Sequence, residues 1–103
     1  MGNPNRRKLE AHEVEAFCAT SGWKAADGVL SKELAFSSYP DGVAFAVAIA
    51  MTAERRDHHP DLFIGWGKVG VRWSTHDAGG ITPLDLELAK LSDELAVRHG
   101  SKA

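Results

Sequence analysis

Apolar and polar residues recur along this chain with two different periods, and the change of period divides it into seven elements. Apolar residues return every three to four positions before Gly22, from Tyr39 to about Arg56, and after Thr82, which predicts three helices. Two intervening stretches combine short alternating runs with turn residues, which predicts two β-hairpins. The predicted order is helix, two strands, helix, two strands, helix.

The first helix is predicted from an apolar stripe that ends at a glycine. The spacing is typical of one buried helical face, and Ser21-Gly22 supplies the residue that commonly terminates a helix. The stripe consists of Leu9, Val14, Phe17 and Cys18. The first residues show no such pattern, so we expect 1–8 to form a loose tail.

Two short segments after this helix predict the first hairpin. Trp23-Lys24 and Lys32 to Ser37 are read as strands. Asp27-Gly28, which lies between them, is a pair typical of tight turns.

The central helix has clear boundaries in the sequence. Tyr39-Pro40-Asp41 places a proline and an acid in the first turn, where proline is tolerated and the acid meets the positive end of the helix dipole. A nearly all-apolar run then reaches about Arg56. Pro60 prevents continuation, because the residue before a proline is pushed out of helical geometry. We therefore predict a buried helix.

A second hairpin and a third helix complete the pattern. From Leu62 to Thr75 the chain reads as two strands around Gly65-Trp66-Gly67, and Gly79-Gly80 ends this pattern. Thr82-Pro83-Leu84-Asp85 then combines an N-cap, a proline at the first helical position and an acid at the third. Leucines at helical spacing follow.

These elements favour one α+β domain. Two hairpins separated by a buried helix predict a four-stranded antiparallel sheet with three helices packed on one face, in the order α-β-β-α-β-β-α. A chain of 103 residues has room for one modest core and little room for a separate cofactor domain. We predict a single domain over residues 9–99.

Composition and charge narrow the classes of function. A net charge of −2 gives no electrostatic reason to expect nucleic acid or an anionic membrane as a partner. The most apolar run, Val43 to Ala53, is shorter than the roughly 20 residues that span a bilayer. No secretory pattern follows the basic start, and Cys18 reads as a small buried residue without an internal disulfide partner. We expect a cytoplasmic protein.

The candidate chemistry lies in one stretch that contains three histidines and two acids. His58-His59 and His76 lie between Glu54 and Asp85. Histidine titrates near neutral pH when unperturbed, at about 6.5, so this cluster suggests proton transfer or metal ligation. Glu54 is one helical turn before His58, where it could orient that imidazole.

A zinc site is the strongest alternative from the residues alone, because three histidines and a carboxylate could complete a tetrahedral set. Zinc-binding helices usually place two histidines four residues apart on one face. The neighbours His58 and His59 instead have side chains that diverge in regular structure. The spacing therefore disfavours a metal site, and we predict none.

Each candidate residue also has a structural explanation. Adjacent histidines after a helix are most often surface or capping residues, and Asp85 is fully explained as a first-turn acid. Glu54 fits a solvated helix end, and Trp66 fits packing in the hairpin. His12 and His99 lie away from the cluster and are expected at the surface. The residue pattern alone leaves these alternatives open.

One set of motifs carries a resemblance that periodicity does not supply. The run from Ala53 to Asp61, Ala-Glu-Arg-Arg-Asp-His-His-Pro-Asp, resembles pterin-4a-carbinolamine dehydratase, as do Thr75-His76 and the Thr82 to Asp85 helix start. His-His-Pro alone is a weak tripeptide, but the combination is specific. The likeness runs from about Trp23 to Leu95. It also includes Lys68-Val69, Gly79-Gly80-Ile81 and Leu88-Ala89.

The resemblance implies an enzyme that removes water from a 4a-hydroxytetrahydropterin and gives the quinonoid dihydropterin, a step in recycling the tetrahydropterin cofactor. The family requires no metal or organic cofactor. By matching positions, we expect His58 and His76 to act as the acid and base pair and His59 to position the pterin. Asp85 is the nearby carboxylate and is counted with the catalytic residues.

The resemblance also implies a pterin pocket and a homodimer or homotetramer. The expected substrate contacts are Glu54, Pro60, Trp66, Thr75, Asp77 and Ala78. Leu62 stands where many relatives carry tryptophan, so one pocket wall is expected to be less aromatic.

The alternative function is that of a non-catalytic interaction protein. Relatives act as a dimerisation partner of a homeodomain transcription factor or in assembly of a carbon-fixing enzyme. Proteins that have abandoned catalysis would be expected to lose members of the histidine set, so the presence of all three favours the enzyme.

Overall fold

The predicted order of three helices and four strands is confirmed by a computed structural model, which describes residues 6–102. The helices are α1 (Ala11–Ser21), α2 (Tyr39–Arg55) and α3 (Pro83–Arg98). The strands are β1 (Lys24–Ala26), β2 (Val29–Ala35), β3 (Asp61–Gly65) and β4 (Lys68–Trp73). A short 3₁₀ turn, His76–Ala78, follows β4.

The four strands form one antiparallel sheet in the order β1-β2-β4-β3. The two hairpins meet along β2 and β4, where Leu30 is paired with Trp73 and Leu34 with Val69. Side chains alternate between the two faces of a strand, so these four residues point to the same face. The register thus gives the sheet one apolar face.

The helices cover this apolar face. The buried strand residues share one core with Phe45 and Ile49 of α2 and with Leu88 of α3. On the opposite face, Lys68 and Arg72 are exposed. The predicted α+β fold, with three helices on one face of the sheet, is confirmed.

The first hairpin differs from its prediction in where the strands end. Asp27 and Gly28 have φ of 53° and 76°, the left-handed conformation that both central residues of a type I′ turn require. Such a two-residue turn lets the strand pairing continue up to its edge, and Ala26 pairs with Val29. β2 therefore begins at Val29, three residues before the predicted start.

Contacts tie both described chain ends to the domain. Of the predicted tail, residues 1–5 lie outside the described part of the chain. Arg7 pairs with Glu13 at 3.3 Å, and the backbone N–H of Leu9 donates to the carbonyl of Ile81 at 2.8 Å. At the other end, the N–H of Lys102 donates to the carbonyl of Ala35 at 2.8 Å. Arg7 and Lys102 lie outside the predicted domain range of 9–99, which stays a prediction.

The sequence predicted a small buried residue at Cys18 and no membrane-spanning helix. Cys18 is partly buried against the core, and burial raises the pKa of its thiol. Within residues 6–102, the helices are too short or too polar to cross a membrane.

Trp73 connects the sheet to α3 through a buried hydrogen bond. Its indole Nε1 donates to Oγ of Ser92 at 3.1 Å, and that hydroxyl donates to the carbonyl of Leu88 at 2.7 Å. Both Trp73 and Ser92 are fully buried. A buried donor that loses its acceptor pays its full desolvation penalty, so this bond matters for stability.

We expect Ser92→Ala to lower the free energy of unfolding by about 1–3 kcal/mol, because it leaves the Trp73 N–H buried without an acceptor. Chemical denaturation of the two proteins measures the difference. Ser37→Ala, at an exposed position, is the matched control and should change the value by less than about 0.5 kcal/mol. Equal stability of Ser92→Ala and wild type would contradict this account of the Trp73 contact.

Candidate active site

The two segments that carry the predicted histidines meet at one end of the β3–β4 hairpin. Asp61, the first residue of β3, pairs with Arg72, the last residue but one of β4. His58 therefore precedes the hairpin at the same end at which Thr75 and His76 follow it. The hairpin brings together residues that are far apart in sequence.

The C-terminal cap of α2 positions His58 at this end of the hairpin. The N–H of Asp57 donates to the carbonyl of Glu54 at 3.1 Å, and the N–H of His58 donates to that of Ala53 at 3.2 Å. This is the hydrogen-bond pair of a Schellman cap, and Asp57 has the left-handed φ of 50° that the cap needs. The cap turns the chain so that His58 enters the core, with only 6% of the residue exposed.

Asp85 is the fully buried partner of His58. Its Oδ1 lies 2.6 Å from Nε2 of His58. Its Oδ2 accepts from the Thr75 hydroxyl at 2.8 Å, the Thr82 backbone N–H at 2.9 Å and the Thr82 hydroxyl at 3.2 Å. Asp85 is therefore both the first-turn acid of α3 and the residue that holds the imidazole. The two explanations from the sequence apply together.

The His58 ring is held by a stacking contact as well as by its contact with Asp85. It stacks on Trp73 with ring centroids 5.9 Å apart and an interplanar angle of 8°. Within residues 6–102, both polar contacts of the ring use Nε2, the second reaching Oγ1 of Thr75 at 3.4 Å. Within the same range, no hydrogen bond reaches Nδ1, so Nδ1 is the ring nitrogen that Asp85 and Thr75 leave available.

His59 lies on the outside of the site and is paired with Glu54. Nε2 of His59 is 2.7 Å from Oε1 of Glu54, and the two side chains are 59% and 76% exposed. An ion pair this exposed contributes little to stability. The contact differs from the expectation that Glu54 orients His58. The helix ends before His58, so the spacing of one helical turn does not bring the two side chains together.

His76 opens the 3₁₀ turn with an exposed side chain. It lines a depression of about 220 Å³ together with Thr75, Gly80 and the β1–β2 turn. Asp77 and Ala78 belong to the same 3₁₀ turn. Small-molecule pockets usually have about 300–1,000 Å³, so a ligand here would be only partly enclosed.

Pro60 and Trp66 lie at opposite ends of β3. Pro60 is half-buried directly after His59, whereas Trp66 is 76% exposed in the β3–β4 turn. Trp66 follows Pro60 by six positions along this extended strand, a separation of roughly 20 Å at about 3.3 Å per residue. A pterin contact of Trp66 stays a prediction.

A larger depression of about 790 Å³ lies elsewhere, along the strands of the sheet. Lys24, Phe63 and Arg72 are among its lining residues, and none of the predicted site residues is. Size alone does not supply chemistry. We therefore place the candidate site at the histidines, where the buried acid–imidazole pair contacts Thr75, which also lines the smaller depression.

The sequence left metal ligation as an alternative to proton transfer. Within residues 6–102, no group of three or more His, Cys, Asp or Glu side chains is arranged to hold a metal ion. His58 is engaged with Asp85, and His59 with Glu54. Each of these two histidines is thus paired with one carboxylate.

Two residues of the site were not predicted. Thr82 was predicted as an N-cap and as part of the family motif, and Asp57 only as part of that motif; neither was predicted as a site residue. The capping pattern did indicate a bond between Thr82 and Asp85. It could not indicate that Thr75 and His58 share the same carboxylate, because that depends on the packing of β4 against α3.

The fold and the site together define a small α+β protein with a buried carboxylate–histidine pair at a sheet end. A family model described as Pterin 4 alpha carbinolamine dehydratase matches residues 7–95. The chain belongs to the pterin-4a-carbinolamine dehydratase family, as its motifs predicted.

Individual relatives agree with this assignment. A protein of Natronomonas pharaonis, provisionally named pterin-4-alpha-carbinolamine dehydratase, is 46% identical over 89 residues, which cover 86% of this chain and 96% of that protein. A protein of Sulfurisphaera tokodaii with the same provisional name is 41% identical over 90 residues, covering 86% and 97%.

Two solved structures share the fold. A transcriptional coactivator/pterin dehydratase from Brucella melitensis has a TM-score of 0.80 at 28% identity, covering 87% of this chain and 99% of that one. A pterin dehydratase-like protein identified as a RuBisCO assembly factor in the alpha-carboxysome has a TM-score of 0.60 at 27% identity, covering 72% and 86%.

The left-handed conformation of Asp57 leads to a stability prediction. Asp57→Val should lower the free energy of unfolding by about 1–2 kcal/mol, because a β-branched residue fits this conformation poorly. Asp57→Gly is the matched variant and should be at least as stable as wild type, since glycine adopts positive φ freely. Urea denaturation compares the three proteins. Equal stability of the Val and Gly variants would contradict the role assigned to the cap.

Proposed function

We propose that this protein is a dehydratase that removes water from a 4a-hydroxytetrahydropterin by histidine general acid and base catalysis. The observation that carries the proposal is the buried Asp85–His58 pair, in which the carboxylate engages Nε2 and no hydrogen bond within residues 6–102 reaches Nδ1. A carboxylate that holds one nitrogen of an imidazole and leaves the other available is a recurring arrangement in proton transfer. Family membership supplies the substrate class.

The reaction requires two proton transfers and no change of oxidation state. The C4a–O bond breaks, and the hydroxyl leaves as water after it takes up a proton. N5 loses its proton, and the electron pair of that N–H bond becomes the N5–C4a double bond of the quinonoid dihydropterin. Imidazoles suit both transfers near neutral pH, each with a typical contribution of about 10²- to 10⁴-fold.

The positions of the three histidines suggest different tasks. His58 is held by Asp85, so its position and orientation are fixed before substrate binds. His76 is exposed at the rim of the adjacent depression and has the freedom to follow the leaving hydroxyl. His59, paired with Glu54 on the outside, is assigned to holding the pterin.

An interaction role is the second candidate, and exposed apolar residues favour it. Val47 and Met51 of α2 are 52% and 60% exposed, and Phe63 and Ile64 of β3 are 58% and 46% exposed. β1 and β3 are edge strands that can pair with another chain. We propose that these surfaces serve a homodimer or homotetramer, which is compatible with catalysis.

The enzymatic proposal is tested by dehydration of an enzymatically generated 4a-hydroxytetrahydropterin, after subtraction of the spontaneous rate. His76→Ala should lower the rate by about 10²- to 10⁴-fold without changing the melting temperature, since its side chain is exposed. His58→Ala should lower it by a similar factor but also destabilise the fold, because Asp85 then loses its partner.

His12→Ala is the matched control, an exposed histidine of α1 outside the site, and should dehydrate at the wild-type rate. A wild-type protein that is no faster than buffer would refute the enzymatic proposal. A normal rate in both His58→Ala and His76→Ala would refute the assignment of the histidines.

A further inference from the structure

We infer that His58 carries its hydrogen on Nε2 and meets the substrate with Nδ1, and that Thr75 and Thr82 enforce this tautomer through Asp85. The inference deepens the proposed function and rests on it, because the pterin substrate is part of that proposal. The tautomer itself follows from hydrogen-bond geometry. Thr82 becomes a positioning residue that no motif assigned to the site.

The first step concerns the hydrogen bonds of Asp85. Its Oδ2 receives the Thr75 hydroxyl at 2.8 Å and the Thr82 N–H at 2.9 Å, and the Thr82 hydroxyl lies 3.2 Å from Oδ2 and 3.1 Å from Oγ1 of Thr75. Oδ2 is thus occupied by donors, and Oδ1 is the carboxylate oxygen that accepts from Nε2 of His58.

The second step concerns the other neighbour of Nε2. Thr75 has one hydroxyl hydrogen, and the 2.8 Å contact with Oδ2 of Asp85 uses it. Toward Nε2 of His58, at 3.4 Å, Oγ1 of Thr75 therefore presents a lone pair. Both polar atoms that contact Nε2 are acceptors, so Nε2 is the donor.

The consequence for catalysis lies at the other nitrogen. In the neutral ring, Nδ1 has a lone pair that no hydrogen bond within residues 6–102 occupies, so His58 can accept a proton there. The imidazolium that forms stays in contact with the Asp85 carboxylate, which stabilises its charge. This makes His58 the base for N5 and leaves protonation of the hydroxyl to another group, for which His76 is the candidate.

The Thr75 and Thr82 donors also predict the effect of replacing Asp85 by asparagine. In Asp85→Asn, the Thr75 hydroxyl and the Thr82 N–H require the amide oxygen at the place of Oδ2. The amide NH₂ then faces Nε2 of His58, which must accept. The hydrogen of His58 moves to Nδ1, the nitrogen that would otherwise take the substrate proton.

Long-range proton–nitrogen NMR of the ¹⁵N-labelled protein, recorded with His58 neutral, measures the tautomer of His58 directly. We expect the Nε2–H tautomer in wild type and the Nδ1–H tautomer in Asp85→Asn, with dehydration slower by about 10²- to 10⁴-fold in the variant. An Nδ1–H tautomer in wild type, or an unchanged tautomer in Asp85→Asn, would overturn the inference. A wild type with Nε2–H but no dehydratase activity would refute the proposed function alone.

The role of Thr82 is tested by Thr82→Val, which removes the hydroxyl but keeps the shape. We expect kcat to fall about tenfold with KM changed less than about twofold, and Thr82→Ser to restore it, since a charge-assisted bond to Asp85 is lost in one and kept in the other. Wild-type kcat in a folded Thr82→Val protein would overturn the positioning role. So would equal losses in the Val and Ser variants.

Discussion

The buried carboxylate of Asp85 is the constraint on which the ends of three elements depend. An unpaired charge in a protein interior is very unfavourable, and removing one partner of such a charge typically costs about 3–5 kcal/mol. Thr82 at the start of α3, Thr75 after β4 and His58 after α2 all contact this one carboxylate. The need to keep these hydrogen bonds to Asp85 therefore fixes how the three segments pack together.

This constraint links stability to chemistry. The donors that stabilise the charge on Asp85 also determine which nitrogen of His58 is free, so the tautomer is a consequence of folding and needs no substrate. The exposed histidines, His59 and His76, do not share this dependence. The site thus combines one rigid imidazole with two that can adjust to a ligand.

Most of the fold was predictable because it depends on local patterns: the periodicity of α2, the alternation in β4 and the capping residues of α3 each identify one element. Contacts between distant segments were not. Glu54 was expected to meet His58 at helical spacing, but the left-handed Asp57 ends the helix first, and Glu54 meets His59. The full environment of Asp85 depends on tertiary packing that no local period contains.

In the proposed reaction, the nitrogen of His58 that the Asp85 contact leaves free faces the reacting part of the pterin. A crystal structure with a bound dihydropterin, as an unreactive analogue of the substrate, measures this most directly. We expect N5 of the ligand within about 2.6–3.2 Å of Nδ1 of His58, directly or through one water. A pterin bound along the strands of the sheet, between Phe63 and Arg72 and away from His58, would contradict it.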